Sequence, residues 1–110
     1  MFEKDLSIAY LLDFYGDVLS ERKRQVLDDY YNSDLSLAEI AGSLGISRQG
    51  VRETIKKAEK ELLFYEEKLQ LAERFRKAGE HAATLLTLSE RYALPEDVMA
   101  EIRALEDSVL

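Results

Sequence analysis

Five polar side chains in the middle of the sequence have the types and the spacing needed to contact base pairs. They are Arg48, Gln49, Arg52, Glu53 and Lys56. On a helix, this spacing keeps them together on the side away from a buried face. Arginine can bond guanine edges, glutamine can bond adenine, and lysine suits a phosphate. With Ser47 just before them, they are the predicted nucleic-acid-binding residues.

The elements that must position these side chains are two short helices joined by a tight turn. Ser36 with Glu39 three residues later has the spacing of a capping box, which predicts a helix running to about Leu44. Gly45 can take the left-handed conformation that ends such a helix, and Ser47 can cap the next one. Two helices separated by three residues are therefore expected.

The apolar residues of this segment predict how the two helices pack. Ala41 is small at the position where they would cross. The residues spaced to form the core between them are Ile40, Leu44, Ile46, Val51 and Ile55. This arrangement predicts a helix-turn-helix within residues 36–62, with the second helix entering a major groove.

The residues before this motif predict two further helices and an all-α fold. The first helix is expected from Phe2 to Tyr15, and the second from Glu21 to Tyr31 with Ser20 as its cap. Residues 32–34 are predicted to form a turn. The apolar side of the first helix is expected to comprise Phe2, Leu6, Ala9, Tyr10 and Phe14.

An extended helical arm is predicted after the motif, so that residues 1–62 form one domain and residues 63–110 a C-terminal extension. The second helix of the motif should continue past Leu62, Gly79 is the expected break, and Pro95 should begin a last helix. That helix is expected to turn Val98, Ile102 and Leu105 inward. A helix-helix seam is predicted from Ile55, Ala58, Leu62, Tyr65, Leu69 and Ala72.

The seam and the apolar residues of the arm leave two arrangements open. The arm could pair with a second copy to give a homodimer, as in helix-turn-helix proteins that contact two half-sites. Alternatively, the C-terminal helices could fold back within the chain and bury the same face. The apolar residues concerned include Phe64, Leu71, Phe75, Leu85, Leu86 and Leu88.

Charge is distributed unevenly along this chain of 110 residues, whose net charge is −7. The first 34 residues and the last 48 each carry −4, whereas residues 35–62 carry +1. A general DNA-coating protein is disfavoured, because basic side chains supply most nonspecific affinity for phosphate. Any attraction for phosphate is expected in the middle segment.

Composition argues against several other classes of function. The chain has no cysteine and a single histidine, His81, in a helical context that predicts a solvated or half-buried side chain. Catalysis usually needs a base, a nucleophile or a metal, so we expect no enzyme and no cofactor. Without a signal sequence or a long apolar run, we expect a cytoplasmic protein that makes no membrane contact.

The same residues also allow a purely structural interpretation, without nucleic-acid binding. A three-helix unit can be a packing module whose outer basic residues are merely solvated, and the acidic flanks agree with this. The basic run 22–24 is more typical of a solvated helix face than of a phosphate clamp. Of Tyr30 and Tyr31, one is expected in the core and the other half buried.

Residues 35–41 and 46–51 resemble region 4 of bacterial sigma factors. The resemblance implies a helix-turn-helix of sigma region 4 type, here extended by the C-terminal arm.

A closer resemblance is to the YlxM family of small bacterial proteins. It is carried by residues 13–15, 19–31, 47–49 and 55–56, and covers about residues 5 to 75. The sequence departs from that pattern at Gly50, where alanine is common, and at Arg52, where tyrosine is common. The resemblance implies a cytoplasmic DNA-binding protein linked to the signal recognition particle pathway. The alternative is an accessory factor that binds protein or RNA of that particle.

Overall fold

The computed structural model describes residues 6–109, and this part of the chain is helical with no strand. The helices are α1 (Leu6–Tyr15), α2 (Glu21–Tyr31), α3 (Leu37–Leu44), α4 (Arg48–Leu69), α5 (Leu71–Arg91) and α6 (Glu96–Ser108), with a 3₁₀ turn (Gly16–Val18) after α1. The predicted all-α class is confirmed. The predicted start of α1 at Phe2 lies outside the described residues.

The chain divides into two compact units, Met1–Gln70 and Leu71–Leu110. We expected the division after residue 62, but α4 continues to Leu69, as its apolar spacing predicted. The helix ends because Gln70 takes a left-handed conformation with φ 56°, and its N–H bonds the Glu66 carbonyl oxygen at 2.9 Å. The predicted seam is therefore interrupted at Gln70, and Ala72 belongs to α5.

In the first unit, α1, α2 and α3 all pack against α4. The buried residues of α4 are all apolar and recur at steps of three and four, so they lie along one side of the helix. These residues are Val51, Ile55, Ala58 and Leu62. The principal buried residues of the other helices are Ile8, Leu11, Leu12, Tyr15, Val26, Leu27, Tyr30 and Ile40.

The buried side of α1 differs from the predicted one. Ala9 and Phe14 are only half buried and Tyr10 is 44% exposed, whereas Ile8, Leu11, Leu12 and Tyr15 are buried. Nearly every residue of α1 is apolar, so more than one stripe fits the helical period. Contact with α2 and α4 selects the stripe that contains Tyr15.

In the second unit, α5 packs against α6. The predicted break at Gly79 is wrong, since α5 runs through it without interruption and Gly79 is buried. One glycine costs a helix only about 1 kcal/mol, which a helix of 21 residues can absorb. The histidine that we expected to be solvated or half buried, His81, is exposed.

The last helix begins where the sequence predicted, with Pro95 immediately before Glu96. Its inner side is displaced by about one residue from the predicted one. Val98 is 40% exposed and Leu105 46% exposed, so neither points inward, and Ile102 is half buried. The half-buried positions here are Met99, Ile102 and Glu106 of α6 and Val109, which directly follows the helix. Both stripes contain Ile102, and packing on α5 selects the second.

Surface ion pairs occur within α5. The Arg76 guanidinium donates hydrogen bonds to Glu73 at 2.6 Å and to Glu80 at 2.5 Å. The bond from Arg76 lowers the pKa of the exposed Glu73 carboxyl, and the bond to Glu73 raises the pKa of Arg76. Exposed pairs of this kind contribute little to stability because water screens them. Within residues 6–109, no helix has the length and apolar character required to cross a membrane.

The two glycines of the α3 segment should respond oppositely to alanine. Gly45 has φ +68°, so Gly45→Ala should lower the free energy of unfolding by about 1 kcal/mol. Gly42 lies within α3 with open space where a Cβ would lie, so Gly42→Ala should raise it by about 0.5 to 1 kcal/mol. Urea unfolding of both variants provides the measurement, and equal changes of one sign would contradict the left-handed turn.

Candidate nucleic-acid interface

The start of α3 is fixed by its own side chains. Ser36 Oγ accepts a hydrogen bond from the Glu39 N–H at 3.0 Å, and the Glu39 carboxylate accepts one from the Ser36 N–H at 3.2 Å. This is the predicted capping box, and it satisfies two amide groups that the helix itself cannot. The first turn of α3 is therefore held rigidly at the surface.

The turn between α3 and α4 is closed by one left-handed residue. Gly45 has φ 68°, and the N–H groups of Gly45 and Ile46 both bond the Ala41 carbonyl oxygen, the latter at 3.2 Å. Ser47 then caps α4 by accepting a hydrogen bond from the Gly50 N–H at 2.9 Å. Because each of these constraints is local, the sequence could predict all of them.

Three of the predicted binding residues come together in one shallow concavity. Arg48, Gln49 and Arg52 line it on the α4 side, and residues 36–38 at the start of α3 line it on the other. All three side chains are exposed. The helix N-terminus of α3 adds a partial positive charge beside the two guanidinium groups. The concavity therefore favours an anion or a hydrogen-bond acceptor, and the contribution of α3 was missed although the capping box could have indicated it.

The other three predicted residues lie outside this concavity. Lys56 is exposed one turn beyond Arg52. Glu53 is exposed beside Gln49, whose amide nitrogen lies 3.5 Å from its carboxylate, a weak contact. The Ser47 hydroxyl accepts the capping hydrogen bond from the Gly50 N–H, which gives it a structural role. Among residues 6–109, no acidic side chain forms an ion pair with Arg48, Arg52 or Lys56.

Polar contacts from α1 and α2 hold the C-terminal half of α4. The Tyr31 hydroxyl donates to Glu59 at 2.5 Å, the Lys23 ammonium to Glu61 at 2.6 Å, and the Tyr15 hydroxyl to Glu66 at 2.6 Å. Sequence reasoning missed all three, because the partners lie 28 to 51 residues apart. It did predict that one of Tyr30 and Tyr31 is core and the other half buried, and the structure buries Tyr30 and leaves Tyr31 half buried. These contacts fix the rotation of α4 about its axis.

The arrangement of α3, the Gly45 turn and α4 defines the class of protein: this is an all-α helix-turn-helix protein. The chain belongs to the family described as "UPF0122: Putative helix-turn-helix protein, YlxM / p13 like", whose sequence profile matches residues 2–104. The resemblance to YlxM proteins seen in the sequence is thereby confirmed.

Individual relatives agree with this assignment along nearly the whole chain. A UPF0122 protein of Halalkalibacterium halodurans is 40% identical over 106 residues, covering 96% of this chain and 97% of the relative. A UPF0122 protein of Exiguobacterium sp. is 42% identical over 105 residues, covering 96% and 95%. One from Clostridium kluyveri is 41% identical over 100 residues, covering 91% and 88%. The similarity therefore includes both compact units.

The cap of α4 can be separated from the binding face by substitution. Ser47→Ala should lower the free energy of unfolding by about 1 kcal/mol, because the Gly50 N–H loses its acceptor. Ser47→Asp should retain stability, since aspartate caps as well as serine. Gln49→Ala, at an exposed position, should change stability by less than about 0.5 kcal/mol. Equal stability of Ser47→Ala and wild type in thermal unfolding would contradict the capping role.

Proposed function

We propose that this protein is a DNA-binding regulator that inserts the first half of α4 into a major groove. The observation that carries the proposal is the convergence of Arg48, Gln49 and Arg52 with the first turn of α3 on one exposed surface. Arginine can donate two hydrogen bonds to a guanine edge, and glutamine can donate one to adenine and accept one from it. The Leu37 and Ala38 N–H groups, which the capping box does not use, and the positive dipole of α3 favour an adjacent phosphate.

Charge supports a selective binder rather than a general one. The chain carries −7 in total, so long-range attraction to DNA is weak and affinity must come from close contacts. Arg48, Arg52 and Lys56 form no ion pair with the described acidic residues and therefore need not break one to bind. Glu53 beside them would repel phosphate, but can accept a hydrogen bond from cytosine.

A second candidate function is that of a non-enzymatic accessory factor that binds protein or RNA of the signal recognition particle in the cytoplasm. The second unit favours a protein contact, because α5 and α6 expose many large apolar side chains beside an acidic surface. Among them are Phe75, Leu85, Leu88, Tyr92, Val98 and Leu105. A protein contact through these residues would be largely insensitive to salt.

We also propose a homodimer formed through this exposed apolar surface of α5 and α6. Soluble monomers rarely expose contiguous apolar patches of more than a few hundred Å². Pairing of two copies would cover this surface, and helix-turn-helix proteins commonly bind two half-sites as dimers.

Binding to a DNA duplex should depend on the surface formed by Arg48, Gln49 and Arg52, and not on charge alone. Arg48→Ala and Arg52→Ala should each weaken binding to a selected duplex by roughly 1 to 3 kcal/mol, while the free energy of unfolding changes by less than about 0.5 kcal/mol. The matched control is Arg74→Ala, which removes an exposed arginine from α5. Selection from a random duplex pool, followed by fluorescence anisotropy over a range of salt concentrations, provides the measurement.

A pool that yields no enriched sequence would remove the DNA-binding proposal in favour of the accessory factor. Capture of signal recognition particle components that persists after nuclease treatment and at high salt would then support the second candidate. Capture that is lost on nuclease treatment would instead indicate an RNA contact.

Light scattering at micromolar concentration should give twice the mass of one chain. Leu85→Glu combined with Leu88→Glu should give the mass of one chain, because two carboxylates cannot be buried without partners. Val18→Glu, in the 3₁₀ turn of the first unit, is the control and should leave the mass unchanged, since Val18 is also well exposed. A monomeric wild type would exclude the dimer.

A further inference from the structure

A row of cationic side chains follows the whole length of α4. Its positions lie four residues apart and all are exposed. Five of them carry a cation and one carries an aromatic ring: Arg48, Arg52, Lys56, Lys60, Phe64 and Lys68. We call them the α4 row. The row covers about 30 Å of helix axis and is interrupted only by one aromatic residue, Phe64. Only its first three members belong to the recognition half of the helix.

The two halves of the α4 row face different directions. Each step of four residues advances about 40° around the helix, so Phe64 is displaced by about 160° from Arg48. The recognition residues as a group are therefore directed about a quarter turn away from the second half of the row. A duplex bound by the first half of the row would therefore not reach the second half. Phosphates that contact the second half must belong to a separate anionic chain.

The second half of the row borders a groove between α2 and α4. Lys57, Lys60 and Phe64 line it together with the Lys23–Glu61 ion pair and Tyr65. The only carboxylate in the lining, Glu61, is already neutralised by Lys23 at 2.6 Å. Lys57 and Lys60 form no ion pair with described residues. In a chain of net charge −7, this lining has an excess of positive charge.

The aromatic residue of the groove is presented to a ligand rather than to the core. Phe64 is 53% exposed, and its ring contacts Tyr65 at a centroid distance of 5.9 Å in an edge-to-face arrangement. Tyr65 in turn contacts Tyr15 of α1, at 5.9 Å, so the ring beneath is anchored. The Lys68 ammonium lies over one face of the Phe64 ring, 5.8 Å from its centre, so a stacked base must use the other face or displace the ammonium. A phosphate next to a base stacked on Phe64 would lie within reach of that ammonium.

We propose that this groove is a second nucleic-acid site, which binds an unpaired strand. An exposed aromatic ring among lysines matches the two requirements of such a strand, which are neutralisation of successive phosphates and a surface on which a base can stack. A duplex meets only the first, because its bases are already stacked on each other. An acidic peptide also meets only the first, since carboxylates gain nothing from the face of a phenyl ring.

This inference does not depend on the proposed recognition of a duplex by the first half of α4. The two surfaces share no side chain, so variants can test them separately. Nothing in the lining reads base edges, and we therefore expect little sequence preference.

The probe is a labelled oligothymidylate of about 12 nucleotides, titrated with the full chain and followed by fluorescence anisotropy at low salt. Phe64→Ala should weaken binding about tenfold, because one stacked base is lost. The matched control is Leu63→Ala, which removes the neighbouring side chain of equal exposure, 53%, from a different side of α4. It should change affinity by less than about twofold.

The phosphate contacts have a separate readout in salt dependence. The double variant Lys57→Gln, Lys60→Gln should lower the slope of log affinity against log salt by roughly 1.4. Its control is Arg74→Gln, Arg91→Gln, which removes the same charge from α5 and should leave the slope unchanged. Arg48→Ala and Arg52→Ala should bind the oligonucleotide as wild type does, even where duplex binding is lost.

Three results would overturn the proposal. The first is an absence of oligonucleotide binding by wild type at low salt, whether or not a duplex binds. The second is an unchanged affinity of Phe64→Ala. The third is equally tight binding of a polyglutamate peptide of the same length, which would assign the groove to an acidic protein partner. Circular dichroism of each variant checks that its helix content is that of wild type.

Discussion

The buried apolar side of α4, here called the α4 seam, is the constraint on which the rest of the first unit depends. Val51, Ile55, Ala58 and Leu62 are all buried, so α4 cannot rotate without exposing one of them to water. Hydrogen bonds to Tyr15 and Tyr31 fix the same rotation from the polar side. Since a helix is rigid, the seam also determines the direction of every charged group on the opposite side.

This seam lets one helix serve two purposes that usually compete. Core helices gain stability from apolar residues, whereas nucleic-acid contacts need unpaired cations at the surface. The glutamates of α4 that face α1 and α2 are engaged there, as with Glu59 and Glu66. Within residues 6–109, the outer cations Arg48, Arg52, Lys56 and Lys60 form no ion pair. The helix is therefore close to neutral in sum while it remains positively charged on one side.

Local chemistry predicted the ends of α2 and α3 and the starts of α4 and α6, whereas tertiary packing decided the buried faces. Ser36, Gly45 and Ser47 each act on a backbone group no more than a few residues away, so the helix-turn-helix could be predicted from the sequence. The exposure of Arg48, Arg52 and Lys56 could be predicted with it. The face of α1 could not, because nearly all its residues are apolar. The inner side of α6 was displaced because the adjacent apolar residues Val98 and Met99 fit two alternative stripes. The end of α4 was missed because glutamine rarely takes the left-handed conformation found at Gln70.

Strain in the backbone is distributed unevenly among the turns. Asp34, Gln70 and Ala93 hold positive φ angles despite having a Cβ, whereas the turn between α3 and α4 uses glycine. Each strained residue stores on the order of 1 kcal/mol that is released when its turn opens. The turn that presents the recognition helix stores none, and the helices around it are tied to the buried seam. In hydrogen exchange, the amides of α4 that face this seam should therefore be among the last to open, and those beside Gln70 and Ala93 among the first.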